Sequence, residues 1–199
     1  MVTPEVITYY LRRISQILFD PEYTTAELYD SPRLLESFVI VSLYAFATSF
    51  DSFLAGYLRT ETMSIGFLSF FVSALTTYLL WFILAMVFHL SAEMLGGLGE
   101  FPSVLGFVGL GTAPLIFTSL LSIILTIVSV VFFPEDEDRL FPLLASGLTV
   151  LGMAWGSPGV ICYFGMKNAE KLHPIKAFLI TFVLFAALTL IVLYNSDVL

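Results

Sequence analysis

Five apolar runs, at about 36–58, 65–90, 104–133, 140–164 and 176–194, constrain this chain more than any motif it carries. A helix crossing about 30 Å of hydrocarbon needs roughly 20 mostly apolar residues, and each run supplies that length. Backbone polar groups have no water to bond inside a bilayer, so runs of this kind are expected as helices. The chain therefore reads as an all-α, polytopic membrane bundle of five transmembrane helices. Residues 1–35 form a lead-in and residues 36–199 the membrane domain. Only 12% of the 199 residues are charged, against roughly 25% in a soluble domain. The third run is too long for an untilted span, being about 45 Å at 1.5 Å per residue. Pro114 can kink or break it. In the fourth, "WGSPGV" places Gly156, Pro158 and Gly159 where a helix should loosen.

The net charge is −8, and no basic face is available to neutralise phosphates, so nucleic acid is not an expected partner. Cys162 stands alone in an apolar run, which leaves no intramolecular disulfide and no cysteine metal cluster to expect. Arg12 and Arg13 interrupt the first twenty residues, so no cleavable leader is expected. Within "TPEVITYYLRRISQILFD", Val6, Ile7, Tyr10, Leu11, Ile14, Ile17 and Leu18 recur at helical spacing. Thr3 suits a cap, Pro4 the first turn, and Asp20-Pro21 ends the helix. Two placements are open. The helix lies in the membrane interface with Arg12 and Arg13 among anionic headgroups, or its apolar face packs on the bundle.

The stretch "GGLGEFPSVLGFVGLGTAP", residues 96–114, has the glycine content of a phosphate loop. It lacks the Gly-Lys-Ser/Thr of a Walker loop, and no βαβ unit surrounds it. In a bilayer, small residues let helix backbones approach closely. Gly96, Gly97 and Gly99 are expected to turn the chain. Gly106, Gly109 and Gly111 ahead of Pro114 make the third span narrow, and Gly152 with Gly156 forms a GxxxG pair in the fourth. Close contact between these two spans is the expectation.

Ionisable residues in apolar runs are candidates for function. Asp51 lies deep in the first span, either as an ion or proton site or as a structural carboxylate bonded to serine and threonine hydroxyls or near the outer interface. His89 and Glu93 share a helix face at i and i+4. With His173 and Glu170 of the next loop on that side they are metal candidates of low weight, since "HLSAE" is not HExxH. No serine stands in a nucleophile elbow and Asp51 has no second intramembrane aspartate, so neither an enzyme nor a cofactor is expected.

Two sets of residues carry a family resemblance. Gly96, Gly97, Gly99 and Phe101, followed by a helix with Gly109 and Pro114, resemble the Yip-domain family of five-span proteins that interact with Ypt/Rab GTPases. "LFDPEYTTAELYDSPRLLES" is similar to that family's cytoplasmic lead-in, and the compact chain resembles its prokaryotic branch. The resemblance implies a non-enzymatic membrane organiser or adaptor that binds a protein partner or lipid at its cytoplasmic face, with self-association as a further option. The alternative from the residues themselves is a small transporter or channel around Asp51. Five spans do not divide into two equal repeats, which weighs against the alternative.

Basic residues set the expected orientation. With the N-terminus inside, the inner segments carry Arg12, Arg13, Arg33, Lys167, Lys171 and Lys176, and the outer ones only Arg59 and Arg139. The C-terminus is then outside, in the cell membrane if the source is prokaryotic. Reporter fusions at the two ends should fall on opposite sides; the same side for both would refute a five-span count.

Overall fold

The computed structural model describes residues 4–30, 33–132 and 157–195, and among them every regular element is a helix. In chain order these are α1 (Pro4–Phe19), α2 (Pro21–Asp30), α3 (Leu34–Thr60), α4 (Met63–Met94), α5 (Phe101–Leu110), α6 (Ala113–Phe132), α7 (Ser157–Asn168) and α8 (Pro174–Asn195). Leu34–Leu58, Met63–Met94 and Phe101–Val128 are long and apolar enough to cross a membrane, and Pro174–Leu190 is a shorter apolar helix. The expected fourth span is described only from Ser157 onward. Gly152, Gly156 and the acidic loop with Arg139 lie outside the described residues.

The lipid-facing surface confirms what the composition implies. Phe46, Phe67, Phe71, Phe82, Phe178 and Phe182 are all exposed. A soluble fold rarely leaves so large an apolar surface in water, whereas in hydrocarbon it costs nothing. Because lipid tails are as apolar as leucine, the helices must be held by close packing and polar contacts instead. The α3–α4 hairpin shows both. Glu61, in the left-handed region at φ 52°, closes α3 with its N–H 2.7 Å from the Tyr57 carbonyl. Beside that turn Gly66 accommodates the Phe53 ring, which a Cβ would meet at 2.9 Å. Farther along, the Tyr78 hydroxyl donates to Ser42 Oγ at 2.8 Å.

The third run is broken, as Pro114 allows, but the break falls at Gly111 and Thr112, just ahead of the proline. Pro114 then occupies the first turn of α6, where its missing N–H removes no helical bond. The chain stays compact through the break: Gly111 N–H reaches the Phe107 carbonyl at 2.9 Å, and Thr112 Oγ1 donates to that of Gly109 at 2.7 Å.

Within the narrow half of this span Gly109 faces α3 and α4, while the expected partners Gly152 and Gly156 lie outside the described residues. A Cβ on Gly109 would lie 2.8 Å from Ser37 Cβ and 3.1 Å from Trp81 Nε1, so this glycine admits α3 and α4. Two hydrogen bonds seal that junction: Ser37 Oγ donates to the Gly106 carbonyl at 2.8 Å, and Trp81 Nε1 to that of Leu105 at 3.0 Å. Gly111 approaches α7, where a Cβ would stand 3.5 Å from Cys162 Sγ. The closest approach of α7 to α5 uses another glycine, Gly165, whose Cβ would fall 2.3 Å from Phe107 Cγ. The core gathers around these contacts, with Phe88, Phe107, Leu110, Ile161 and Met166 fully buried.

Gly109→Ala should already be costly, since Ser37 Cβ is anchored to backbone and cannot swing away. Overpacking of this kind costs about 1–3 kcal/mol, or roughly 2–12 °C in Tm for a chain of this size. Gly109→Leu should fail to give a stable bundle, and Ser37→Gly should partly rescue Gly109→Ala. Thermal unfolding in detergent measures all three.

Candidate functional site

The glycine loop does hold an anion, and it is the chain's own. Gly96, at φ 87°, ends α4 and reverses the chain, a backbone that glycine adopts without steric penalty. The next residues wrap the side chain of Glu170, which lies between α7 and α8 and is 0% exposed. Gly99 N–H donates to Glu170 Oε2 at 3.0 Å, and His89 Nδ1 stands 3.1 Å from Oε1. Leu98 N–H reaches the Glu170 backbone carbonyl, also at 3.0 Å. The two glycines are required by space. A Cβ on Gly97 would meet Glu170 Oε2 at 2.7 Å, and one on Gly99 would meet the Ala169 carbonyl oxygen at 2.4 Å. A buried carboxylate without donors is very costly, so the loop and Glu170 make sense only together. Lys176 adds a second tie, donating to the Leu95 carbonyl at 2.8 Å.

His89 also faces Glu93, with Nε2 3.5 Å from Oε1, as their i, i+4 spacing anticipates. The metal arrangement does not assemble: no group of three or more potential ligands capable of holding an ion occurs among the described residues. His173 is exposed, and its Nδ1 lies 3.4 Å from the Ile175 backbone N–H. Its ring stays exposed at the start of α8, where the Ile175 N–H is its polar neighbour.

A second polar group fastens the lead-in. Arg13 is 4% exposed; its guanidinium reaches Glu27 of α2 and Glu36 of α3, each at 3.0 Å. Arg33 closes the ring at 3.4 Å from Glu27 and 3.2 Å from Glu36, and the Tyr9 hydroxyl donates to Glu36. Burial alone would raise the Glu27 carboxyl, but hydrogen bonds from Arg13 and Tyr23 and the charges of Arg13 and Arg33 hold it below its ordinary value. Tyr9 is pushed upward, first by its bond to Glu36 and then by burial. At the end of α7, Lys167 pairs with Glu22 of α2 at 2.7 Å and Asn168 Nδ2 donates to the Glu22 carbonyl at 3.1 Å.

These contacts separate two arginines treated alike in the sequence. Arg12 is exposed and free to meet headgroups, whereas Arg13 turns inward and is consumed by two carboxylates. One residue rotates a helix by about 100°, which is enough to move the neighbour from one environment to the other. Between the two placements open for α1, the structure has the helix packed: Ile17 is fully buried in the bundle's core and Ile14 lies against it.

Asp51, half-buried in α3, has both oxygens occupied. Ser122 Oγ donates to Oδ2 at 2.7 Å and Thr126 Oγ1 to Oδ1 at 3.0 Å. The donors are four residues apart on α6, so one helix face supplies both. Glu27, Glu36 and Gly165 belong to no motif in the sequence. An acidic residue three positions after Arg33 and an isolated glycine amid bulky α7 residues were the available signals.

Gly99→Ala and Glu170→Ala should each destabilise the bundle by about 2–3 kcal/mol, through a backbone clash in one and orphaned buried donors in the other. Glu170→Gln should be milder. Its carbonyl can accept from Gly99 while its amide donates to His89 Nδ1 in the alternative tautomer. Detergent melting curves showing Gln as harmful as Ala would contradict the hydrogen-bonded cradle.

With this architecture in view, the sequence model of the Yip1 domain matches residues 15–195, which takes in nearly all of the described helices and both loops of the cradle. No curated protein and no solved structure matches the chain. The match runs from inside α1 to the last residue of α8, and the chain accordingly belongs to the Yip1-domain family of membrane proteins.

Proposed function

We propose that this protein is a non-enzymatic membrane organiser that presents its α1–α2 end, on the cytoplasmic side, to a protein partner or lipid. One observation carries the reading. The charged contacts between distant elements concentrate at this end, where they hold α1 and α2 against the bundle. Side chains left outward there include Arg12, Phe19, Tyr23, Met94, Leu98 and Lys171. Such a face is fixed in shape before anything binds, which lowers the ordering cost of association. Six basic residues on this side support its placement in the cytoplasm. Transport through Asp51 has less support, since both carboxylate oxygens are already satisfied by hydroxyls of α6.

Photocrosslinkers at Phe19, Tyr23 and Leu98 in native membranes should trap a common partner that a crosslinker at lipid-facing Phe71 does not. In proteoliposomes the parent and Asp51→Asn should show the same background ion and proton flux. Flux present in the parent and lost in Asp51→Asn would replace the organiser reading with a transport one.

A further inference from the structure

A cavity of about 280 Å³ lies within the bundle beside the break between α5 and α6. Tyr44 of α3, Leu84 of α4, Gly111 and Thr112 at the break, and Cys162 of α7 contribute to its wall, with Leu188 on the α8 side. The break creates part of this space, because Gly111 offers no side chain to fill it.

Water is a poor occupant. A buried water needs two to four polar partners, and the polar side chains of the wall are almost all engaged. Thr112 Oγ1 donates to the Gly109 carbonyl at 2.7 Å, Thr189 Oγ1 to that of Phe185 at 2.8 Å, and Thr77 Oγ1 to that of Ser73 at 3.0 Å. Trp81 Nε1 is spent on the Leu105 carbonyl at 3.0 Å. These protons are spent on backbone carbonyls and most of the remaining wall is apolar, so little is left to donate to a water's oxygen. An apolar cavity of about 150 Å³ accepts a molecule the size of benzene, so this one has room for a longer hydrocarbon segment.

The surroundings identify the source of such a segment. Leu80 lines the cavity and is 50% exposed on α4, next to the exposed Leu79 and Ile83. The cavity wall is therefore continuous with the lipid-facing surface and is reached sideways, from the hydrocarbon. Tyr44 stands ten residues past the start of α3, about 15 Å along its axis, which is half the hydrocarbon thickness. That is the depth of an acyl-chain end. We infer that the cavity is a binding site for the distal part of an acyl chain of a bilayer phospholipid, inserted between α4 and α8 against the α5–α6 break. The site does not depend on the organiser reading.

The test uses the full chain in proteoliposomes containing phosphatidylcholine with a diazirine near one acyl terminus. After irradiation, labelling should be enriched at Tyr44, Leu115 and Leu188 over lipid-facing Phe71 and Phe178, and excess unlabelled phosphatidylcholine should suppress it. Leu84→Trp, which fills the cavity, should reduce the enrichment at least fivefold, whereas Leu75→Trp on the exposed side of α4 should leave it within twofold. If Leu84→Trp does not fold, Leu188→Phe serves the same purpose. Uniform labelling of cavity and lipid-facing residues, or enrichment that survives filling, overturns the inference. Enrichment by a diazirine fatty acid but not by the phospholipid overturns the source assigned to the chain.

Discussion

A carboxylate that no solvent reaches has to be given donors by the protein, and in this chain Glu170 dictates the form of the loops around it. Its oxygens take a backbone N–H from Gly99 and a ring nitrogen from His89. Space for that approach exists because residues 97 and 99 have no side chains. The tie reaches further than one residue. It sets the end of α4, the start of α5 and the exit from α7 in a fixed relation, and Lys176 brings the first turn of α8 to the same loop. A glycine-rich segment that resembles a phosphate cradle is therefore built around an internal anion.

The membrane explains why polar devices are distributed as they are. At the α1–α2 end, two arginines and two glutamates neutralise one another around the start of α3. Breaking such a partly buried network strands a charge, so each member depends on the rest. Within the hydrocarbon depth the contacts are of another kind. Ser37 and Trp81 donate to backbone carbonyls of α5, and Asp51 takes two hydroxyls from α6. Small residues allow the approach and the short bonds hold it, which replaces the hydrophobic drive that lipid removes.

Much of this was legible in the sequence, to differing depths. The apolar runs at 36–58, 65–90, 104–133 and 176–194 fall on helices, because the bilayer permits little else, whereas most of the run at 140–164 lies outside the described residues. The break in the third span followed from Pro114, although it settled at Gly111 and Thr112, where a glycine can adapt and a threonine can cap the exposed carbonyl. The partner of Gly109 was not legible. A stripe of small residues states that something comes close, but a helix has several neighbours, and only the three-dimensional arrangement selected Ser37 and Trp81 over α7. Glu170 was visible as an ionisable residue grouped with His89, and the two do meet. Its other partner is the backbone N–H of Gly99, which no residue letter announces. Arg12 and Arg13 differ in role for a similar reason: identity is shared, and rotation about the helix decides.

These constraints bear on what the bundle can do. A transport site has to exchange its ligand with water, which requires polar groups that are free in at least one state. Asp51 is bonded at both oxygens by a single face of α6, and separating them means moving α3 and α6 apart along a contact that continues through much of both helices. The α1–α2 end has the opposite character. Its backbone is pinned by internal charges and by the Glu170 cradle, while aromatic and apolar side chains such as Phe19, Tyr23 and Leu98 face outward. Rigid backbone with outward aromatic groups is the combination that gives contact area at low entropic cost. The contrast between an Asp51 held at both oxygens and an end with outward aromatic groups is what supports the proposed recognition at that end over passage through the bundle.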